Sequence, residues 1–157
     1  MTPKTLFNLF AKAEAVTWTA LLAGLAYRAL ASMEPIVLTV IGGIHGAVFL
    51  GYGVTAALVG VNQRWKAGVV IGGIALAIVP YATIPFELNR KKKGALEGAW
   101  RTSASTDPRD AGWFDRLFRW FIQRPLLLVA VLLIVVVGIF SGLLWMGPPD
   151  TWAEKFN

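Results

Sequence analysis

The chain has no cysteine, a single histidine and little charge: 15 Lys and Arg, 9 Asp and Glu, together 15% of its 157 residues. Without cysteine there can be no disulfide, no thiolate metal site and no cysteine nucleophile. With one imidazole, at His45, any metal or general-base chemistry that needs histidine depends on that position. The shortage of charge, set against 56% hydrophobic residues, argues against an ordinary soluble domain and for an integral membrane protein whose apolar surface faces lipid. No small-residue cleavage site follows a short hydrophobic core near the start, so a removable signal peptide is not expected. No internal repeat of transporter type is visible.

What is present is a series of apolar stretches. The first runs over residues 13–31, approached by Leu6, Phe7, Leu9 and Phe10, with Glu14 opening it and Arg28 closing it. Both charged groups can reach an interface from those positions, Arg28 by snorkelling. Glu14 and Trp18 are one turn apart and share a face. A short turn at residues 31–35 follows, with Pro35 placed to start the next helix. The second stretch, 35–61, passes without a formal charge, which is enough helix to cross a bilayer core of about 30 Å. His45 stands near its middle, on one face with Tyr52 and with Phe49 between them. Gly42, Gly46, Gly53, Ala57 and Gly60 form a ridge of small residues beside that face, of the kind that lets another helix approach closely.

After a polar turn at residues 62–66, a third stretch runs from Ala67 to about Phe86 and contains Pro80 and Pro85. A proline removes a backbone donor and disturbs the preceding turn, so this helix is expected to bend near Pro80 and stop around Pro85. The carbonyls so freed need partners at membrane depth, from neighbouring helices or a small wet cavity. A bend facing His45 would make a pocket.

The character then changes. Arg90, Lys91, Lys92 and Lys93 lead into a hydrophilic linker, 94–112, and residues 113–124 read as an interfacial amphipathic helix, with Phe114, Leu117, Phe118 and Phe121 on one face and Asp115, Arg116, Arg119 and Gln123 on the other. A fourth transmembrane helix, 125–147, is rich in Leu and Val and carries Gly138 and Gly142 as a packing pair; residues 148–157 form a short tail, with Trp145 and Trp152 suited to the aromatic belt. The expected fold is thus all-α and polytopic: a three-span membrane unit over 1–93 and a fourth C-terminal helix. Four crossings would put both ends of the chain and the Asn62 turn on one side, with Lys4, Lys12, Arg64, Lys66 and Lys155. The basic segment would lie on the other side, placing it in the cytoplasm and both termini outside. The basic residues Arg90, Lys91, Lys92, Lys93, Arg116, Arg119 and Arg124 suit anionic headgroups; nucleic acid is not an expected partner, because no folded module presents the charges.

Several separated motifs carry a family resemblance: Ala13-Glu14-Ala15-Val16-Thr17-Trp18, then Gly43-Ile44-His45-Gly46-Ala47-Val48-Phe49-Leu50-Gly51-Tyr52, Arg64-Trp65, and Pro80-Tyr81-Ala82-Thr83-Ile84-Pro85-Phe86-Glu87. In that order they resemble a small bacterial membrane-protein family known as domain of unknown function 3817, over about residues 6–93. The resemblance implies a compact three-helix membrane unit in the bacterial cell membrane and directs attention to Glu14, His45, Gly46, Tyr52 and Pro80. It implies no activity.

The candidate functional or packing site is therefore Glu14, Trp18, His45, Gly46, Phe49, Tyr52 and Pro80, with helix packing through Gly42, Gly46, Gly53, Gly138 and Gly142. A metal is not expected, since Glu87 should sit at an interface far from Glu14, and no cofactor is implied. Tyr52, Thr39 and Thr83 offer only loose partners for nucleophilic chemistry, so the chain reads as non-enzymatic. Two functions stay open. One is an assembly or accessory subunit that packs against a membrane-protein partner or a second copy. The other is a small oligomeric carrier or binding protein for a proton-coupled solute or lipid-like molecule, using Glu14 and His45.

Overall fold

A computed structural model describes residues 1–31 and 34–147; the described residues form helices and connecting turns, with no strand. They fall into two compact units, Met1–Arg101 and the stretch beginning at Thr102. The fold is all-α, as expected, and three helices are long and apolar enough to cross a membrane.

The first unit is built on two of these. Helix α1 (Pro3–Leu30) begins where the Thr2 hydroxyl accepts from the Thr5 amide (3.1 Å), with Pro3 in the first turn, where its missing N–H costs nothing. Helix α2 (Pro35–Asn62) likewise opens on a proline. At 28 residues each, both are about 42 Å long and exceed the bilayer core. They run antiparallel and close together. Phe10 fills the space a side chain at Gly51 would need, the Phe7 and Tyr52 rings lie 5.7 Å apart, and Gly24 admits Leu38 and Ile41.

The third apolar stretch does not form the single bent crossing that its composition suggests. Helix α3 (Ala67–Ala75) passes into a 3₁₀ turn (Leu76–Ile78), after which Val79 is extended, as a residue before proline tends to be, and Tyr81 takes a left-handed conformation (φ 65°). The chain then enters helix α4 (Thr83–Lys92), with Pro85 in its first turn, a position that tolerates proline. So Pro85 helps to begin a helix; it does not end one.

The two pieces run in opposite directions. Descending α3, Val70 meets Gly60 and Ile74 meets Gly53, while Thr83 at the start of α4 meets Ala11 and Glu14. By Arg90 the chain is back beside Trp65, the residue from which it set out, with the guanidinium 5.8 Å from the indole. Residues 67–92 are thus a helical hairpin that enters the bundle from one end, turns at the level of Trp18 and Thr19, and returns to the same end.

Residues 94–101 close that end as a strap. Leu96 is fully buried, Trp65 Nε1 donates to the Ala95 carbonyl (2.9 Å), Asn62 Nδ2 to the Ala99 carbonyl (3.1 Å), and Trp100 Nε1 to the Met1 carbonyl (2.9 Å). Lys4 pairs with Glu97 at 2.6 Å. These contacts correct the expected arrangement in which the basic segment and the Asn62 turn occupy opposite ends: Lys4, Arg64, Lys66 and Arg90 to Lys93 all gather at one end. The physical reason is the reversal at Pro80, which returns residues 83–92 to the end from which α3 set out.

In the second unit a 3₁₀ turn (Pro108–Ala111) precedes helix α5 (Trp113–Ile122) and helix α6 (Pro125–Met146). Hence the stretch 94–112, expected as one linker, is divided: its first part straps the first unit and its second docks on α5. Helix α6 buries none of its residues, as suits a lipid-facing span, and Trp145 at its end is exposed. The tail 148–157, with Trp152 and Lys155, lies outside the described residues.

Candidate functional site

In α1, Pro3, Phe7, Ala11 and Glu14 recur at helical spacing and are all buried, so the stripe that seals the bundle ends on a carboxylate. Glu14 is 0% exposed. The Thr83 hydroxyl, brought in at the start of α4, donates to its Oε2 at 3.1 Å and also lies 3.4 Å from the Ala11 carbonyl. Oε1 accepts no hydrogen bond. The Trp18 indole stands beside this carboxyl group, but its Nε1 proton is given to the Ala77 carbonyl at 3.1 Å.

That bond and one other explain how the hairpin can exist at depth. Where α3 stops short, its last carbonyls lose their helical donors, and in an apolar medium an unpaired carbonyl is costly. Trp18 covers Ala77, and the hydroxyl of the fully buried Tyr52 donates to the Gly73 carbonyl at 3.2 Å. Gly73 itself must be glycine-sized, because the Phe86 ring from α4 lies 2.6 Å from where a Cβ would be. The expected need for partners near Pro80 is therefore met by aromatic side chains of α1 and α2.

His45 faces α1, not lipid. Its ring centroid is 4.5 Å from that of Trp18 and 6.5 Å from that of Phe49, and Nδ1 is 3.0 Å from Thr17 Oγ1. The Thr17 hydroxyl also lies 3.0 Å from the Glu14 carbonyl; when it donates there, the imidazole carries its proton on Nδ1 and the threonine accepts. On the far side, Thr19 Oγ1 and Tyr81 Oη meet at 3.2 Å and tie the hairpin tip to α1.

Of the residues singled out from sequence, Glu14, Trp18, His45, Phe49 and Tyr52 come together along one seam. Gly46 is half-buried next to His45, while Pro80 is exposed at the tip. The glycines divide. Gly53 touches Ile74, whereas a Cβ at Gly42, Gly43, Gly138 or Gly142 would meet nothing within 4 Å. Among the basic residues, Lys91, Lys92, Lys93 and Arg116 are exposed, but Arg90 leans on the Trp65 and Phe86 rings and Arg124 stacks on Trp120 at 4.4 Å. Arg119 is buried in an ion pair with Asp110 (3.1 Å) and is closed to a headgroup, because it holds the preceding turn on α5.

Other residues were not foreseen. Glu87 is buried against α1, one turn from Thr83; with the Asn8 amide oriented to satisfy both neighbours, its nitrogen donates to Glu87 Oε1 at 2.6 Å. Asn62 and Arg101 close the end of α2, the Arg101 side chain donating to the carbonyls of Asn62 and Val61 at 2.8 Å each. Among the described residues, no three His, Asp or Glu side chains gather as a metal site would need.

Comparison with known proteins places these features. Residues 4–92 match the family described as "Domain of unknown function (DUF3817)". A Streptomyces coelicolor protein named as a membrane protein, SCO5905, is 32% identical over 91 residues, which is 57% of this chain and 11% of that protein. No solved structure matches. The family match takes in α1, α2, the hairpin and the whole polar seam, and leaves out the strap, α5 and α6. Since it covers more than half of the residues, the chain belongs to the DUF3817 family, a membrane family of unknown function.

Proposed function

We propose that the chain is a non-enzymatic accessory subunit of a larger membrane assembly, docked through the part of the α1–α2 pair that the hairpin leaves bare. The observation that carries this reading is the level at which the hairpin turns. Beyond Trp18, α1 and α2 have no third helix of their unit against them, and there Leu22, Leu25, Ile36, Val37, Val40 and Ile44 are exposed around Gly42 and Gly43, where a Cβ would find open space. Small residues in such a place let a partner helix approach the backbone. The relative supports the same reading, since the matched segment there is a tenth of a longer membrane protein.

The concentration of Lys4, Arg64, Lys66 and Arg90 to Lys93 at the strapped end, against Arg28 near the other, supports a cytoplasmic strapped end by the positive-inside rule. The decisive test replaces Gly43 with Leu. Because no described residue lies within 4 Å of a Cβ there, the variant is expected to melt as wild type does while its stoichiometric complex, weighed by native mass spectrometry from native membranes, weakens at least tenfold. An unchanged complex, or no complex in wild type, overturns the reading.

One observation favours the carrier alternative: Glu14 is buried at depth with Oε1 unmatched. An ionisable group inside a membrane bundle is a functional candidate by default. On that reading Glu14→Gln and His45→Ala each abolish a pH-dependent flux, or the loss of a bound small molecule is seen in the mass spectrum; flux and bound molecules equal to wild type in both variants dismiss it.

A further inference from the structure

Helix α5 is an arginine-bearing aromatic face with no counterpart in the accessory reading. Its buried side is polar as well as apolar. Phe118 and Arg119 turn inward, and Asp110 there accepts from the Ser105 amide (2.7 Å), the Ser105 hydroxyl (2.6 Å) and Arg119 Nη1 (3.1 Å), while Arg119 Nη2 donates to the Asp110 carbonyl (2.7 Å). This fixes which side of α5 faces out. Trp113 (71% exposed), Phe114, Leu117 and Trp120 are uncovered, and an open groove is lined by Trp113, Arg116, Leu117 and Trp120, residues spaced three and four apart on one face.

The level of this groove follows from the chain. Helix α6 starts three residues after α5 ends, at Pro125, and its 22 residues span about 33 Å, so its ends lie at the two faces of the hydrocarbon layer. Of the two residues between, Arg124 is not helical (φ −120°, ψ 69°), which separates the direction of α5 from that of α6. Arg124 also stacks on Trp120 and donates to its carbonyl (3.2 Å), holding that indole in place. Indoles at headgroup depth with a guanidinium between them suit a phosphodiester above and acyl chain below: tryptophan favours the interface, and arginine forks onto phosphate oxygens.

We propose that this groove is a binding site for an anionic phospholipid, with Arg116 on the headgroup phosphate and Trp113, Leu117 and Trp120 against its glycerol and upper acyl region. Arg116 is the reader because Arg119 is committed to Asp110 and Arg124 to Trp120. The partner is lipid, and not a protein, because the face sits at the membrane surface by its attachment to α6 and joins one positive side chain to an apolar floor.

The test uses the full chain in nanodiscs of phosphatidylcholine containing about one fifth phosphatidylglycerol, with retained lipids counted by native mass spectrometry. Wild type is expected to hold phosphatidylglycerol above its bulk share. Arg116→Gln is expected to reduce that enrichment about fivefold, the effect of one basic residue near an anionic surface, whereas Arg28→Gln leaves it unchanged. Both side chains are exposed, so neither variant should alter the melting curve. Equal enrichment in wild type and Arg116→Gln, or an equal loss in Arg28→Gln, overturns the proposal. Loss of enrichment in Trp113→Ala with Arg116 intact would support the aromatic floor, and its retention would overturn that part.

Discussion

Trp18 and Tyr52 supply hydrogen bonds that an unbroken third helix would have found in its own backbone. Tyr52→Phe keeps the ring that packs on Phe7 and removes only the donor to the Gly73 carbonyl. Leaving that carbonyl unpaired is expected to cost about 1–3 kcal/mol, read as a lower melting temperature in detergent. Gly51→Ala is expected to destabilise to a similar degree, about 1–3 kcal/mol of overpacking, because the new methyl runs into the Phe10 ring. At this scale the sequence marked the polar groups of the seam and was silent about their partners. Glu14, Trp18, His45 and Tyr52 stood out as polar groups in apolar runs. What two of them bind, the carbonyls of Ala77 and Gly73, is backbone, which every residue has and no pattern marks. Thr17 escaped notice for a related reason: one more threonine in a helix gives no sign that it bonds an imidazole on the next.

Among elements, the hairpin is where composition and structure part. Residues 67–86 hold enough apolar chain for one crossing, and hydropathy reads the same for a helix that continues and one that returns. Pro80 signalled a disturbance; the direction after it was set by Thr83 finding Glu14 and by Arg90 finding Trp65, contacts remote in sequence. The lack of native cysteine makes this testable without background labelling. In the full chain, Lys66→Cys and Lys93→Cys are expected to react with a membrane-impermeant maleimide from one face, and Ala31→Cys from the other. Labelling of position 93 together with position 31 would restore a through-crossing third span. The long helices α2 and α6 were legible because uninterrupted apolar runs with a proline at the start leave a chain in lipid little choice, and α1 was legible from the uncharged run between Glu14 and Arg28.

For the molecule as a whole, the family's boundary at residue 92 does not coincide with the boundary of the folded unit, which reaches Arg101. Arg101 bonds the last carbonyls of α2, so Arg101→Ala is expected to lower the stability of the first unit by about 1–3 kcal/mol, measured as thermal or denaturant unfolding in detergent. If stability were unchanged, the strap would be an ornament on the family fold and not part of its closure. The hairpin has a further consequence for manufacture. The side chains that make its turn tolerable in lipid, Trp18 and Tyr52, belong to segments synthesised before Gly73 and Ala77, so a ribosome at the membrane delivers the acceptors' partners first. Helices α1 and α2 can therefore pair before residues 67–92 emerge, so that the turn meets its donors as it forms.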